Sequence, residues 1–367
     1  TARNIDIFTD QNQYSFIDDA MDNPFSLSTT LMPARLKTDQ KGKVMMTDIY
    51  DLASVTKIST STLAVMQLMS EGKFSLDGRL GDYYPLFKDT DKANLVMKDL
   101  LTHRAGLKSW IPFWKDAVDT IATMQKAISM YPHLEQECIV IIKKPGFFKR
   151  LFGKKPSKSI LYLESLKAKD SLWTKMLTPE TRIWKPNIFS DEKTNDFNVR
   201  VNKNMYMNRH YKRTIFNQIA TSPLNTTQGY VYSDLHYYLY PEMIKKITGQ
   251  NFESYLGKTY HSLGASSLTY NPAEKFMLEK IVPTEFDSLF RQDLLHGFVH
   301  DEGAAMLGGI SGHAGLFGNA NDLTILMQMY LQKGSYGGIQ YIKPEVIDYC
   351  TSYQFQNEKN RRGIGFD

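Results

Sequence analysis

Apolar residues recur at helical spacing in several stretches, and glycine or proline closes most of them. Between Ala53 and Glu71 the positions Ile58, Leu63, Val65, Met66 and Met69 keep one apolar face, and Gly72 follows as a C-terminal cap. That pattern predicts a helix over 53–71. "LVMKDLL" (95–101) predicts a shorter helix, followed by the turn "THRAG". "YSDLHYYLYPEMIKKITG" (232–249) reads as a helix closing at Gly249 and kinked or interrupted by Pro241. "NDLTILMQMYLQKG" (321–334) reads as another, capped by Asn321 or Asp322 and ended by Gly334. The region 108–222 is less regular. "FWKDAVDTIATMQKAISMY" is helical in pattern and "ECIVIIKK" resembles a short strand. The first 48 residues are polar and irregular, with one strand turn at "DQKGKVMM". Helices dominate and strands are scattered.

Composition adds limits. The 367 residues, 42% hydrophobic and 23% charged, fit a large single domain or two lobes with a sizeable core. No apolar run approaches the roughly 20 residues that crossing a bilayer requires. Thr1 is no initiator and no basic-then-apolar leader follows it, so a cut from a longer precursor is expected. Cys138 and Cys350 suit neither a disulfide scaffold nor a zinc site. The net charge of +5 is local: "KKPGFFKRLFGKKPSK" (143–158) holds seven basic residues and no acid, and without it 37 basic residues face 39 acidic ones. A general nucleic-acid surface is therefore not expected.

Chemistry concentrates at "IYDLASVTKIST" (49–60). Ser54 and Lys57 are three apart, so on a helix the lysine reaches the hydroxyl. The first helical turn also points free N–H groups and a positive dipole end at the same place. A serine hydroxyl needs a neighbouring base to become a nucleophile. Lysine serves only if burial or a nearby positive charge lowers its basicity. The alternative is a surface lysine beside a helix cap.

"LASVTKISTSTLAVMQLMSEGKFSLDGRLGDYYP" followed by "LLTHRAGL" resembles the serine β-lactamase and penicillin-binding superfamily, in particular the branch of class C β-lactamases, D-aminopeptidases and related esterases. The match resumes, in the same order, with "YSD", "ITGQNFESYL", "LGASSLTYNP" and "GAAMLGGISGHAGLFGNANDL". These blocks also resemble β-lactamase-related modules that some bacterial proteins carry behind a glycoside hydrolase family 3 domain, so fusion to a glycosidase domain is expected.

The resemblance implies one α+β domain over 1–367, an antiparallel sheet with helices facing a helical lobe at 108–222 that carries a long insertion. It implies no cofactor and no metal, a small-molecule or peptide substrate, and a periplasmic, extracellular or cell-envelope location. Ser54 would be the acylated nucleophile, Lys57 its proton acceptor or tuning group, and Tyr232 a proton shuttle, since an ammonium beside a phenol favours phenolate. Asp234 departs from the family's asparagine: an ionised Asp only accepts hydrogen bonds and favours a protonated Lys57, which shifts the base role toward Tyr232. A third motif, Lys-Thr-Gly or His-x-Gly on a sheet strand, also supplies an oxyanion-hole N–H worth roughly 3 to 4 kcal/mol. It is expected beyond Asp367, so the sheet is expected to be incomplete here. "GHAG", His313 to Gly315, is a candidate substrate-binding stand-in, with a structural turn as the other reading.

Three further features have two readings each. His296 and His300, beside Asp301 and Glu302, could ligate a metal or simply bond within a loop. His103 reads as a buried turn histidine. The aromatic-rich basic run 143–158 is a solvated insertion loop or a contact with a membrane surface or polyanion. The serine-hydrolase reading has two rivals: a catalytically silent module that binds cell-wall peptide or a protein, and an adaptor acting through 143–158.

Overall fold

The break at Thr60 sets up the centre of the fold. In the computed structural model, which describes residues 45–133, 177–225, 229–355 and 362–366, the expected helix over 53–71 is two helices. These are α1 (Val55–Ser59) and α2 (Ser61–Ser70), and Thr60 between them has φ −126° and ψ −76°. The cause is tertiary. The carbonyls of Ile58 and Ser59 accept hydrogen bonds from the Tyr330 and Tyr260 hydroxyls, at 2.7 and 2.6 Å. Residues Ser61 to Met66 and Leu68 are all buried. A helix buried on every side is a core helix rather than a surface one. Gly72 follows at φ 70°, as the cap pattern predicts.

Ahead of α1 runs a short strand, β1 (Tyr50–Asp51). Helix α3 (Met97–Leu101) matches its predicted place, whereas the pattern at 113–131 resolves into a single turn and α4 (Thr120–Met130). The described part of 108–222 is not purely helical. Strands β2 (Phe189–Ser190), β3 (Phe197–Asn202) and β4 (Met205–Asn208) form an antiparallel sheet in the order β2-β4-β3. The sequence FNVRVN of β3 alternates apolar and polar residues, and half-buried and exposed positions follow that period until Asn202 is buried beside Val201. Helix α5 (Tyr211–Thr221) follows, and the fully buried Lys92 ammonium caps its end on the carbonyls of Ala220 and Ser222.

The 232–249 pattern becomes a 3-10 turn at Leu235–Leu239 and then α6 (Tyr240–Thr248), with Pro241 in its first turn and Gly249 left-handed at φ 73°. After α7 (Phe252–Leu263) and α8 (Glu302–Ala305), strand β5 (Phe317–Gly318) returns to pair antiparallel with β1. Helix α9 (Ala320–Leu331) is capped by Asn319, whose side chain accepts the Asp322 N–H at 2.8 Å, two residues ahead of Asn321 and three ahead of Asp322, the caps that the sequence pattern indicates. The last helix, α10 (Pro344–Thr351), packs with α6 against α2. The fold is α+β, and pairing among the described residues is confined to sheets of two or three strands.

No helix among the described residues is long and apolar enough to cross a membrane. Cys350 is a free, buried thiol that burial pushes up to about 12. The basic run 143–158, the strand pattern at 137–144, Cys138 and the first 44 residues lie outside the described residues.

Candidate active site

Ser54 stands where β1 turns into α1. The chain makes that turn at Ala53, whose φ of 44° is left-handed and unfavourable for a residue with a Cβ. Asp51 holds the turn: one carboxylate oxygen accepts the Ala53 N–H at 2.8 Å, and the other accepts the His300 N–H at 2.7 Å. Ser54 is exposed, and its own backbone N–H makes no hydrogen bond among the described residues.

Lys57 is buried one turn later, at 4% exposure. Its ammonium donates to Ser54 Oγ at 2.8 Å and to the His313 carbonyl at 3.4 Å, and pairs with Asp234 Oδ1 at 2.6 Å. Three protons meet three oxygens, which leaves the ammonium no spare donor. The rings of Tyr232 and Tyr237 complete its surroundings, with centroids 5.0 and 5.6 Å from Nζ. Tyr232 therefore presents its face to Lys57, and its hydroxyl makes no hydrogen bond among the described residues. The guanidinium of Arg362 lies 6.0 Å from the same ring.

The "YSD" segment is moulded by the "THRAG" turn. The His103 carbonyl accepts the Val231 N–H at 2.9 Å, and His103 Nδ1 accepts the Ser233 N–H at 3.0 Å. Ser233 Oγ donates to the Lys108 carbonyl at 2.6 Å, and the Asp234 N–H donates to the Ser109 carbonyl at 2.9 Å. The His103 ring rests on Tyr232, with centroids 4.6 Å apart. Burial pushes His103 down to about 3, with help from the positive charges of Arg362 and Lys57. The imidazole is thus neutral, and since Nδ1 accepts, Nε2 carries the proton. Reading His103 only as a turn residue misses this contact with Tyr232. The sequence signal available was its place in the block that follows the Ser54 motif.

Ser54, Lys57, Tyr232 and Asp234 come together. The side chain of His313 and Gly315 do not join them as a substrate-facing motif. The imidazole of His313 is buried, with Nε2 2.9 Å from Asp301 and Nδ1 2.8 Å from Ser311 Oγ, and it stacks on Tyr238 at 4.1 Å. Gly315 lies at φ 106°, where an added Cβ would fall 2.3 Å from the Gly309 carbonyl oxygen. "GHAG" is a tightly packed turn that contributes one carbonyl to Lys57.

His296 Nε2 contacts the carbonyls of Leu278 and Ile281, and His300 Nε2 lies 3.2 Å from Glu285. Burial works against the charged form of His300, but the hydrogen bond and charge of Glu285 prevail and raise it to about 9. Among the described residues no group of three His, Cys, Asp or Glu side chains is placed to hold a metal ion. Beside Asp234 opens a cavity of about 480 Å³.

A family model described as Beta-lactamase matches residues 36–137, which include Ser54, Lys57 and His103. An Escherichia coli K12 protein, provisionally named a D-alanyl-D-alanine carboxypeptidase, is 26% identical over 86% of this chain and 58% of its own length. An N-acetylmuramyl-L-alanine amidase of Bacillus subtilis is 26% identical over 87% of this chain and 56% of its own. The chain thus spans little more than half the length of these relatives. Among solved structures, a penicillin-binding protein from Bacillus halodurans aligns with a TM-score of 0.50 at 13% identity, over 89% of this chain and 72% of that one. That likeness shows the fold.

Proposed function

Because the chain belongs to the serine β-lactamase and penicillin-binding superfamily, we propose that it is a serine hydrolase acting through an acyl-enzyme on Ser54. The supporting observation is the exposed Ser54 hydroxyl, 2.8 Å from a buried ammonium at the start of a helix. Lys57 stabilises negative charge as it develops on the serine oxygen. With its three donors committed, it has no lone pair for a proton, so Tyr232 is the base. Lys57 Nζ and the Arg362 guanidinium lie 5.0 and 6.0 Å from the centre of the Tyr232 ring. The Ser54 N–H is available for the substrate oxyanion.

The substrate is an ester, an amide or a D-amino-acid peptide of the cell wall, and the site of action is the cell envelope. The names of the Escherichia coli and Bacillus subtilis relatives, a carboxypeptidase and an amidase, support the peptide and amide part of this reading. A fluorophosphonate or a fluorescent penicillin tests the reading. Labelling of the protein that disappears in Ser54→Ala supports it, and no labelling of the folded protein by either probe overturns it.

The Lys57–Asp234 pair also favours a second reading, a silent module that binds cell-wall peptide or a partner without turnover. It predicts binding of a cell-wall peptide with no labelling of Ser54.

A further inference from the structure

We propose that the cavity beside Asp234 binds a protonated amine carried on the acyl part of the substrate; this rests on the hydrolase reading above. The cavity shares Asp234 with the reactive group, since Asp234 holds Lys57 and Lys57 holds Ser54. A molecule reacting at Ser54 can therefore extend into it. The walls suit a cation. Trp110 and Phe286 stand at the rim, 46% and 52% exposed, and Trp114 is buried behind them. Aromatic faces attract ammonium groups, most strongly where water is excluded.

The carboxyls select the charge. Five line the cavity, and four already have partners: Asp234 with Lys57, Asp287 with Arg291 at 2.7 Å, Glu285 with His300, and Asp301 with His313. Glu302 forms no ion pair among the described residues. The positive charge that acts on it, Arg291, is bound to Asp287. Burial and the neighbouring Asp301 carboxylate raise Glu302 to about 7, so a cation placed against it would be held and would ionise it. Of the two basic side chains in the lining, His300 is committed to Glu285 and Lys115 lies over the Trp114 ring. A free amine on the ligand completes this arrangement, whereas an acylated nitrogen at the same place leaves Glu302 without a counter-charge.

The test uses the Ser54→Ala protein, so that binding is read without turnover. Calorimetry at pH 8 compares phenethylamine with its N-acetyl derivative. The expected result is at least tenfold tighter binding of the amine, a preference that Glu302→Gln abolishes and that Trp110→Ala, at the exposed rim, weakens. Equal affinities, no binding of the amine, or a preference unchanged in Glu302→Gln overturns the proposal. If Glu302→Gln fails to fold, Trp110→Ala decides it: an unchanged preference there is equally fatal. Labelling of Ser54 in the unsubstituted protein judges the hydrolase reading separately, so the two can fail independently.

Discussion

Lys57 Nζ lies 2.6 Å from Asp234 Oδ1 and only slightly farther, 2.8 Å, from Ser54 Oγ. The ammonium is shared between a full negative charge and a neutral hydroxyl, and electrostatics favours the carboxylate. On the proposed mechanism Asp234 would act as a brake on Ser54. Asp234→Asn removes the charge and adds a donor, and is expected to raise the rate of labelling by a fluorescent penicillin about tenfold, close to 1.4 kcal/mol of barrier. Stopped-time gel fluorescence measures it; a rate that stays level or falls removes the brake from the mechanism.

Replacing Lys57 by Met is expected to lower labelling by roughly a hundredfold or more, in the range of a lost proton-transfer or charge-stabilising group. It also leaves Asp234 without its partner, so the thermal midpoint should drop. In the double variant Lys57→Met with Asp234→Asn, the midpoint should partly recover while labelling stays lost. A double variant no more stable than Lys57→Met would show that the pair carries no coupling.

His103 is expected to act through position. His103→Asn offers an acceptor to the Ser233 N–H and tolerates the left-handed φ of 58°, but has no ring to support Tyr232. It should keep most of the stability and lose about tenfold in labelling rate. His103→Ala, which also leaves a buried N–H unpaired, should cost about 1 to 3 kcal/mol as well. Denaturant melts alongside labelling rates separate the two effects.

Stability should bend with pH in two windows of opposite sign. His103 titrates near 3 in the folded protein against 6.5 when unfolded, so the unfolded chain binds more protons between these values. Stability should therefore fall as pH drops from 6.5 toward 3. Buried His236, also held well below its ordinary value by burial, adds in the same direction. His300, raised to about 9, contributes fully below 6.5 and loses that contribution as pH climbs to 9. Glu285→Gln should flatten the alkaline limb and leave the acid limb intact. A thermal-midpoint series from pH 3.5 to 9.5 reads both.

Gly312 sits against the core helix, where an added Cβ would lie 2.3 Å from Ser61 Oγ and 2.4 Å from the Tyr237 carbonyl. Gly312→Ala is expected to destabilise by about 1 to 3 kcal/mol through overpacking. A change within about 0.5 kcal/mol by denaturant melt would count against so tight an approach.

The grouping of Ser54, Lys57, Tyr232 and Asp234 was legible because its parts lie in short local patterns. Ser54 and Lys57 share one helical face, and Tyr232 and Asp234 open the next recognisable block. Elements fixed by distant partners were not. The break at Thr60 depends on the hydroxyls of Tyr260 and Tyr330, which no local window contains. Strand β3 is a different case: FNVRVN alternates apolar and polar residues and carries a strand signal, but it is only six residues long. "GHAG" has the spacing of a substrate motif, yet close packing of its glycines against Gly309 and Tyr237 turns the imidazole of His313 inward to Asp301. The role of His103 emerges only when the loop 103–109 is laid against 231–234.

Asp51 grips two backbones at once, the turn beneath Ser54 and the loop at His300, whose side chain forms part of the cavity wall. Those two strokes of chain are riveted together by a single carboxylate. The backbone beneath the hydroxyl and the loop that walls the cavity thus share one anchor.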